Sequence, residues 1–288
     1  MKHRNISTFL KENVSDQYAF FWEAYTGKCT VRKAAPRRLS PYRGSFREEV
    51  DSKPPYLVFR ISKKRYYAPL RRNPVLHRAF CSLSDNAGII KFASVYGLLG
   101  FSRAPVKNNR GRRSDGLLLI ESLQRWRQEI AEMRSLVHLW ELVLNKRSSL
   151  LSALLEWEKD GLYIIANRKK ELILSGDLPL AKKWKGQERQ YYEPATYYIN
   201  EYISRKVGAR VYPRILPGYK KKVYFFPTDL LSAMWLMFLW EVIGEVRPRQ
   251  CPGCRIWFNP RRSTRKTCGD RCRKKMSRIN LSKRKEHV

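Results

Sequence analysis

Through the middle of the chain apolar residues recur at Leu119, Leu123, Trp126, Ile130, Met133, Val137, Trp140 and Leu144, in steps of 4-3-4-3-4-3-4. This spacing puts all eight on one stripe of an α-helix and predicts a long helix from Leu119 to Leu144, with Glu121, Arg125, Arg127, Glu129, Glu132 and Arg134 between the stripe members. Leu136, Leu139 and Val143 widen the apolar face, which favours packing inside a globular helical core over an isolated coiled coil. His138 lies beside that face and reads as a packing residue. A second helix is predicted between Asp85 and Gly100, where Ile89, Ile90, Phe92, Ala93, Tyr96 and Leu99 share a face and Gly97 or Gly100 can end it. Residues 73–80 carry the same helical spacing. The run from Leu230 to Trp240 follows Thr228 and Asp229, either able to cap it, and is about half the ~20 residues a membrane span needs. It reads as a buried helix.

Strand patterns are shorter. Tyr56–Ile61 and Arg65–Ala68 suggest a hairpin, as do Leu162–Ala166 with Glu171–Leu174, and Arg210–Phe226 turning at Pro217-Gly218. Residues 150–157 read as helical up to Asp160-Gly161, and 191–206 as a tyrosine-rich helix. The aromatic cluster Tyr18–Trp22 suits a short amphipathic helix, while the basic, Pro- and Gly-broken stretches 32–44 and 101–116 read as surface loops. The pattern divides the chain into an N-terminal α+β region (1–116), a helical core region with a β-hairpin (117–246) and a terminal module (247–288).

Charge changes the picture. The 288 residues carry 59 Lys and Arg against 25 Asp and Glu, a formal net charge of +34, yet 43% are hydrophobic and eight are Trp, so the chain folds. Excess positive charge of this size suits a polyanion, and no continuous apolar segment calls for a membrane. Residues 1–18 lack the apolar core of a secretory signal and carry Lys11, Glu12 and Asp16, which leads us to expect a cytoplasmic protein with reduced thiols.

Within the terminal module Cys251-Pro252-Gly253-Cys254 is followed, thirteen residues on, by Cys268-Gly269-Asp270-Arg271-Cys272. Two short-spaced cysteine pairs can supply four thiolates to one structural zinc ion, and Ile256, Trp257 and Phe258 supply the small core that such a module otherwise lacks. Cys29 and Cys81 belong to no such motif and read as free thiols. Fifteen Lys and Arg face only Asp270 and Glu286 in this module. Arg255, Arg261, Arg262, Arg265, Lys266, Arg271, Arg273, Lys274, Lys275 and Arg278 are therefore the candidate nucleic-acid-binding residues, because lysine and arginine contacts to phosphate release counterions. A helix starting near Cys268 would turn both Cys268 and Cys272 to one metal and carry Arg273, Lys274, Lys275 and Arg278 outward.

Asn73-Pro74-x-Leu76 with Phe80, Phe92-Ala93-x-x-Tyr96-Gly97-Leu98-Leu99-Gly100, the long Trp-containing helix, the apolar helix 230–240 and the terminal C-x2-C-x3-F…C-x3-C-R array together resemble the bacterial proteins with a C-terminal CGNR-type zinc finger. In that family Cys-Gly-Asn-Arg follows the last ligand, whereas Cys268-Gly269-Asp270-Arg271 lies between the last two here. A treble-clef-like finger is the broader description. The resemblance implies a transcriptional regulator that binds DNA through one structural zinc, its helical body available for sensing or homodimerisation. Together the patterns give an α+β protein: a mostly helical body with short β-hairpins plus a small C-terminal treble-clef-like zinc finger. An RNA-binding or ribosome-associated factor is the alternative that the Tyr-rich basic body permits. A zinc deaminase needs His-x-Glu upstream of Pro-Cys-x-x-Cys; neither is present, and no phosphate loop or nucleophile motif occurs, so no enzyme is expected.

Overall fold

The structure, a computed structural model, describes residues 22–33, 55–67, 75–101, 118–166, 169–176, 178–185, 191–215, 223–244, 247–260 and 264–285. It is α+β. Strands β1 (Trp22–Arg32), β2 (Tyr56–Tyr67) and β3 (Leu118–Ser122) form an antiparallel sheet in the order β1-β2-β3. The sequence 56–67 therefore runs as one strand along β1, with a bulge at Thr26/Gly27, and does not fold back as a hairpin. The reason is non-local: β1 offers it a partner for eleven residues, and a long paired strand satisfies more backbone groups than a four-residue return. Most of the Tyr18–Trp22 cluster and of the basic loops lies outside the described residues.

Two short helices follow, α1 (Leu76–Cys81) and α2 (Asn86–Tyr96). Asp85 caps α2 by accepting a hydrogen bond from the Gly88 amide at 2.6 Å, and Gly97, at φ 93°, ends it. The long helix α3 (Leu123–Leu144) begins one turn later than its stripe predicts, because Leu118–Ser122 pairs with β2 and Ser122 becomes the N-cap. Leu119 stays buried, but as a strand residue on the same face as Glu121. Further along, α4 (Ser148–Ser152) gives way to a meander of β4 (Leu155–Trp157), β5 (Gly161–Ala166) and β6 (Lys169–Ser175), so the predicted helix stops five residues before Trp157. Then come α5 (Pro179–Lys185), α6 (Tyr192–Val207), the hairpin β7 (Val211–Ile215) and β8 (Val223–Pro227), and α7 (Leu230–Val242).

The core lies where α3 meets α1, α6 and α7. Trp126, Met133, Leu136, Phe80, Trp235 and Phe238 are all essentially inaccessible there. Helix α7 is apolar all round and is surrounded on most sides, as such a helix must be. A capping box holds its start: Asp229 accepts from the Ser232 amide at 2.7 Å while the Asp229 amide donates to Ser232 Oγ at 3.3 Å. Gly100, at φ +101°, lies so close to this cap that a Cβ there would come within 2.2 Å of Asp229 Cβ. Glu121 is buried beside it and accepts from the amides of Leu99, Gly100 and Phe101 and from Trp126 Nε1, at 2.7–3.0 Å. Burial pushes its carboxyl above the usual range, and those four donors oppose the rise. Four N–H groups thus tie the 99–101 segment to α3 and hold the entry to α7.

Candidate metal centre and basic helix

The chain leaves α7 and forms a two-residue hairpin, β9 (Arg249–Gln250) with β10 (Trp257–Phe258), whose turn is the Cys251–Cys254 knuckle. The knuckle is closed by backbone bonds from Cys251 N to Ile256 O at 3.0 Å and from Arg255 N to Cys251 O at 2.7 Å. Helix α8 (Asp270–Lys285) follows, with Cys268 just ahead of it and Cys272 in its first turn. Knuckle, hairpin and helix make the treble-clef-like arrangement expected. Gly253 lies where the two pieces meet, and a Cβ there would sit a tight 3.2 Å from Cys272 Cβ. On the same seam Lys275 Nζ donates to Gly253 O at 3.1 Å.

The Sγ atoms of Cys251, Cys254, Cys268 and Cys272 all lie within 4.8 Å of one another, and can hold a metal ion. Cys254 Sγ is 3.5 Å from Cys268 Sγ, which is 3.6 Å from Cys272 Sγ. A tetrahedron with Zn–S bonds of about 2.3 Å separates its sulfurs by about 3.8 Å, so the donor set and its size suit zinc. The sulfurs are graded in exposure: Cys251 is buried, Cys268 and Cys272 are half-buried, and Cys254 is exposed. Burial acts to raise the Cys251 thiol, but the amides of Cys268, Gly253 and Cys254 point at its sulfur and pull it down to about 6. Cys268, crowded by burial and by the other three sulfurs, is pushed up to about 12. A bound cation reverses that crowding, since it needs the thiolates the cluster otherwise resists forming. Cys29 and Cys81 are buried in the body and are not among the four clustered sulfurs, and burial raises both thiols to about 12.

The basic residues divide by role. Arg271, Arg273, Lys274, Lys275 and Arg278 are all exposed on α8. Arg273 also pairs with Asp270 at 3.1 Å. Arg265 braces the bridge instead: Nε donates to Thr267 O at 3.0 Å, a second N–H goes to Cys268 O, and the guanidinium lies over the Phe258 ring. Lys266 and Arg255 are exposed, and Arg255 sits in the left-handed region at φ 56°. Arg261 and Arg262 lie outside the described residues. Asn259 accepts from the Arg247 amide at 3.3 Å and so closes the base of the hairpin.

One cluster escapes sequence reasoning. Arg78 on α1 is 4% exposed, and its guanidinium binds both carboxylate oxygens of Glu241 on α7, reaches Glu141 on α3, and lies 4.5 Å over the ring of Trp257. His77, fully buried, contributes a 2.7 Å bond from Nε2 to Glu241. Burial works against the Arg78 charge but the two carboxylates outweigh it, while His77 and Arg78 together hold Glu241 below the usual carboxylate range. The only local signal is a His-Arg pair inside an apolar run and a Glu directly after another. His138, expected to pack, is exposed on α3.

Among the described residues no helix is long and apolar enough to cross a membrane. Family models, curated proteins and solved structures were all compared with this chain, and none matches.

Proposed function

We propose that this chain is a zinc-dependent nucleic-acid-binding protein, and specifically a DNA-binding transcriptional regulator related to the CGNR-type finger proteins it resembles. One observation carries the reading: Arg271, Lys274, Lys275 and Arg278 stand exposed on a helix whose first turn supplies Cys272 to the metal cluster. Zinc, when bound, locks that helix to the knuckle and supplies the folding energy that a module of about 40 residues lacks. The cysteines orient the helix, Lys275 and Gly253 register it, and the outward cations meet phosphate. Catalysis has no part in this reading.

The test is binding of the full zinc-loaded chain to duplex DNA and to structured RNA across a salt series. Each phosphate neutralised adds about −0.9 to the slope of log K against log salt on duplex DNA. Lys274→Glu with Arg278→Glu, which leaves the Lys275–Gly253 contact in place, should weaken binding and flatten that slope by about two units. Unchanged affinity and slope would remove the finger from the interface. Tighter binding to structured RNA at equal salt would move the assignment to the RNA-binding alternative.

A further inference from the structure

Ile256, expected in the small core of the module, is instead 63% exposed, at the base of the knuckle turn directly before β10. Its carbonyl accepts from Cys251 N at 3.0 Å, and the residue before it is held on both sides: Arg255 N donates to Cys251 O at 2.7 Å and Arg255 O accepts from Gln250 Nε2 at 3.1 Å. Arg255 is also in the left-handed conformation, which costs energy in a non-glycine residue and is retained only where the surroundings impose it. An aliphatic side chain is thus projected into solvent from a rigid mount. It lines a groove of about 800 Å3 that flanks the metal cluster, sharing it with Cys254 and Cys272, with Lys274 and Arg278 of α8, and with Ile279, 36% exposed.

An apolar point flanked by cations fits a ligand that is polyanionic outside and apolar within. Nucleic acid has that chemistry, with phosphates along the edge and stacked bases behind them. Single strands are held on aromatic platforms, and no aromatic ring is among the described residues lining this groove. Proteins that enter a duplex from the minor groove instead drive aliphatic side chains between base steps, unstacking and kinking the helix. We propose that Ile256 is such a wedge: the groove seats duplex DNA, the α8 cations hold its phosphates, and Ile256 inserts at a base step and bends the duplex. This rests on the nucleic-acid-binding reading above, and the salt-slope experiment tests that reading by itself.

The wedge is tested with the full zinc-loaded chain and a duplex of about 20 base pairs labelled at both ends for energy transfer, the transfer change reporting the bend. Wild type should bend the duplex. Ile256→Ala should abolish the transfer change and weaken binding about tenfold while leaving the salt slope and the zinc content unchanged. Ile256→Met, which keeps a long apolar side chain, should retain the bend. If Ile256→Ala bends and binds as wild type does, the wedge is wrong while the electrostatic reading stands. If wild type binds the duplex without bending it, the wedge is equally excluded. Failure of wild type to bind any duplex, with no salt slope to measure, overturns the underlying reading and the wedge with it.

Discussion

The Arg78 guanidinium lies 4.5 Å above the indole of Trp257, joining a helix of the body to the hairpin that carries the metal ligands. The same guanidinium is clamped from behind by Glu241 and Glu141, so the body presents a fixed positive plane on which the finger rests. A desolvated cation–π contact is worth about 2 kcal/mol. Trp257→Ala should therefore loosen the finger without unfolding the body: amide exchange at Gln250 and residue 257 should accelerate, and that along α3 should not. Equal acceleration throughout would mean the ring belongs to the common core.

Removing the cation instead strands a buried carboxylate. Arg78→Met leaves Glu241, 3% exposed, with His77 as its remaining strong partner. The expected loss is about 3–5 kcal/mol, read from the urea midpoint at constant m-value. Glu241→Gln in the same background should recover part of it, since a neutral amide in that position needs no counter-ion.

Acid should act on this cluster with a defined sign. Burial holds His77 below its ordinary value of 6.5, its Nε2–H donates to Glu241, and its Nδ1 has no hydrogen-bond partner among the described residues, so the folded state resists protonation of the ring. As the pH falls below 6.5 the unfolded chain binds a proton there more readily than the folded chain, so the stability from this group is present above 6.5 and lost progressively below it. Glu241, also depressed, adds a second loss below its ordinary value of 4.5. His77→Gln should flatten the stability profile in the upper window alone. A profile identical to wild type would show that His77 is not the group responsible.

The cysteines should sort into two sets. Replacing Cys251, Cys254, Cys268 or Cys272 by Ser should each lower bound zinc below one equivalent and unfold the finger, while Cys29→Ser and Cys81→Ser leave metal content unchanged. Metal analysis of the purified variants decides it, and full occupancy in two of the first four would dissolve the site.

Glu121 offers a check on the body. Glu121→Gln keeps one acceptor oxygen for four converging N–H donors and turns an amide NH2 toward the rest, so two bonds are lost at about 1.5–3 kcal/mol each. Thermal melting should report the drop. Gly100→Ala, which puts a Cβ against Asp229 at the cap of α7, should destabilise the same junction.

Local pattern carried a good deal of this. The cysteine pairs are legible because ligand spacing is a short-range property: two residues between Cys251 and Cys254 and three between Cys268 and Cys272 suffice to turn thiolates toward one point. The body of α3 and the buried α7 are legible because apolar periodicity reports which face is covered without saying by what. Three other features were decided only by the fold. Leu119 belongs to a strand because β2, some sixty residues earlier in the chain, offers its backbone a partner, and the stripe reads the same either way. Segment 56–67 is one long strand for the same reason, its partner β1 lying across a segment that local pattern does not bridge. Arg78 and Glu241 stand 163 residues apart, and neither residue carries a mark that it will be buried beside the other. Charge pairs of this kind are illegible in one dimension because their energy depends on shared burial, which exists only once α1, α3 and α7 have packed.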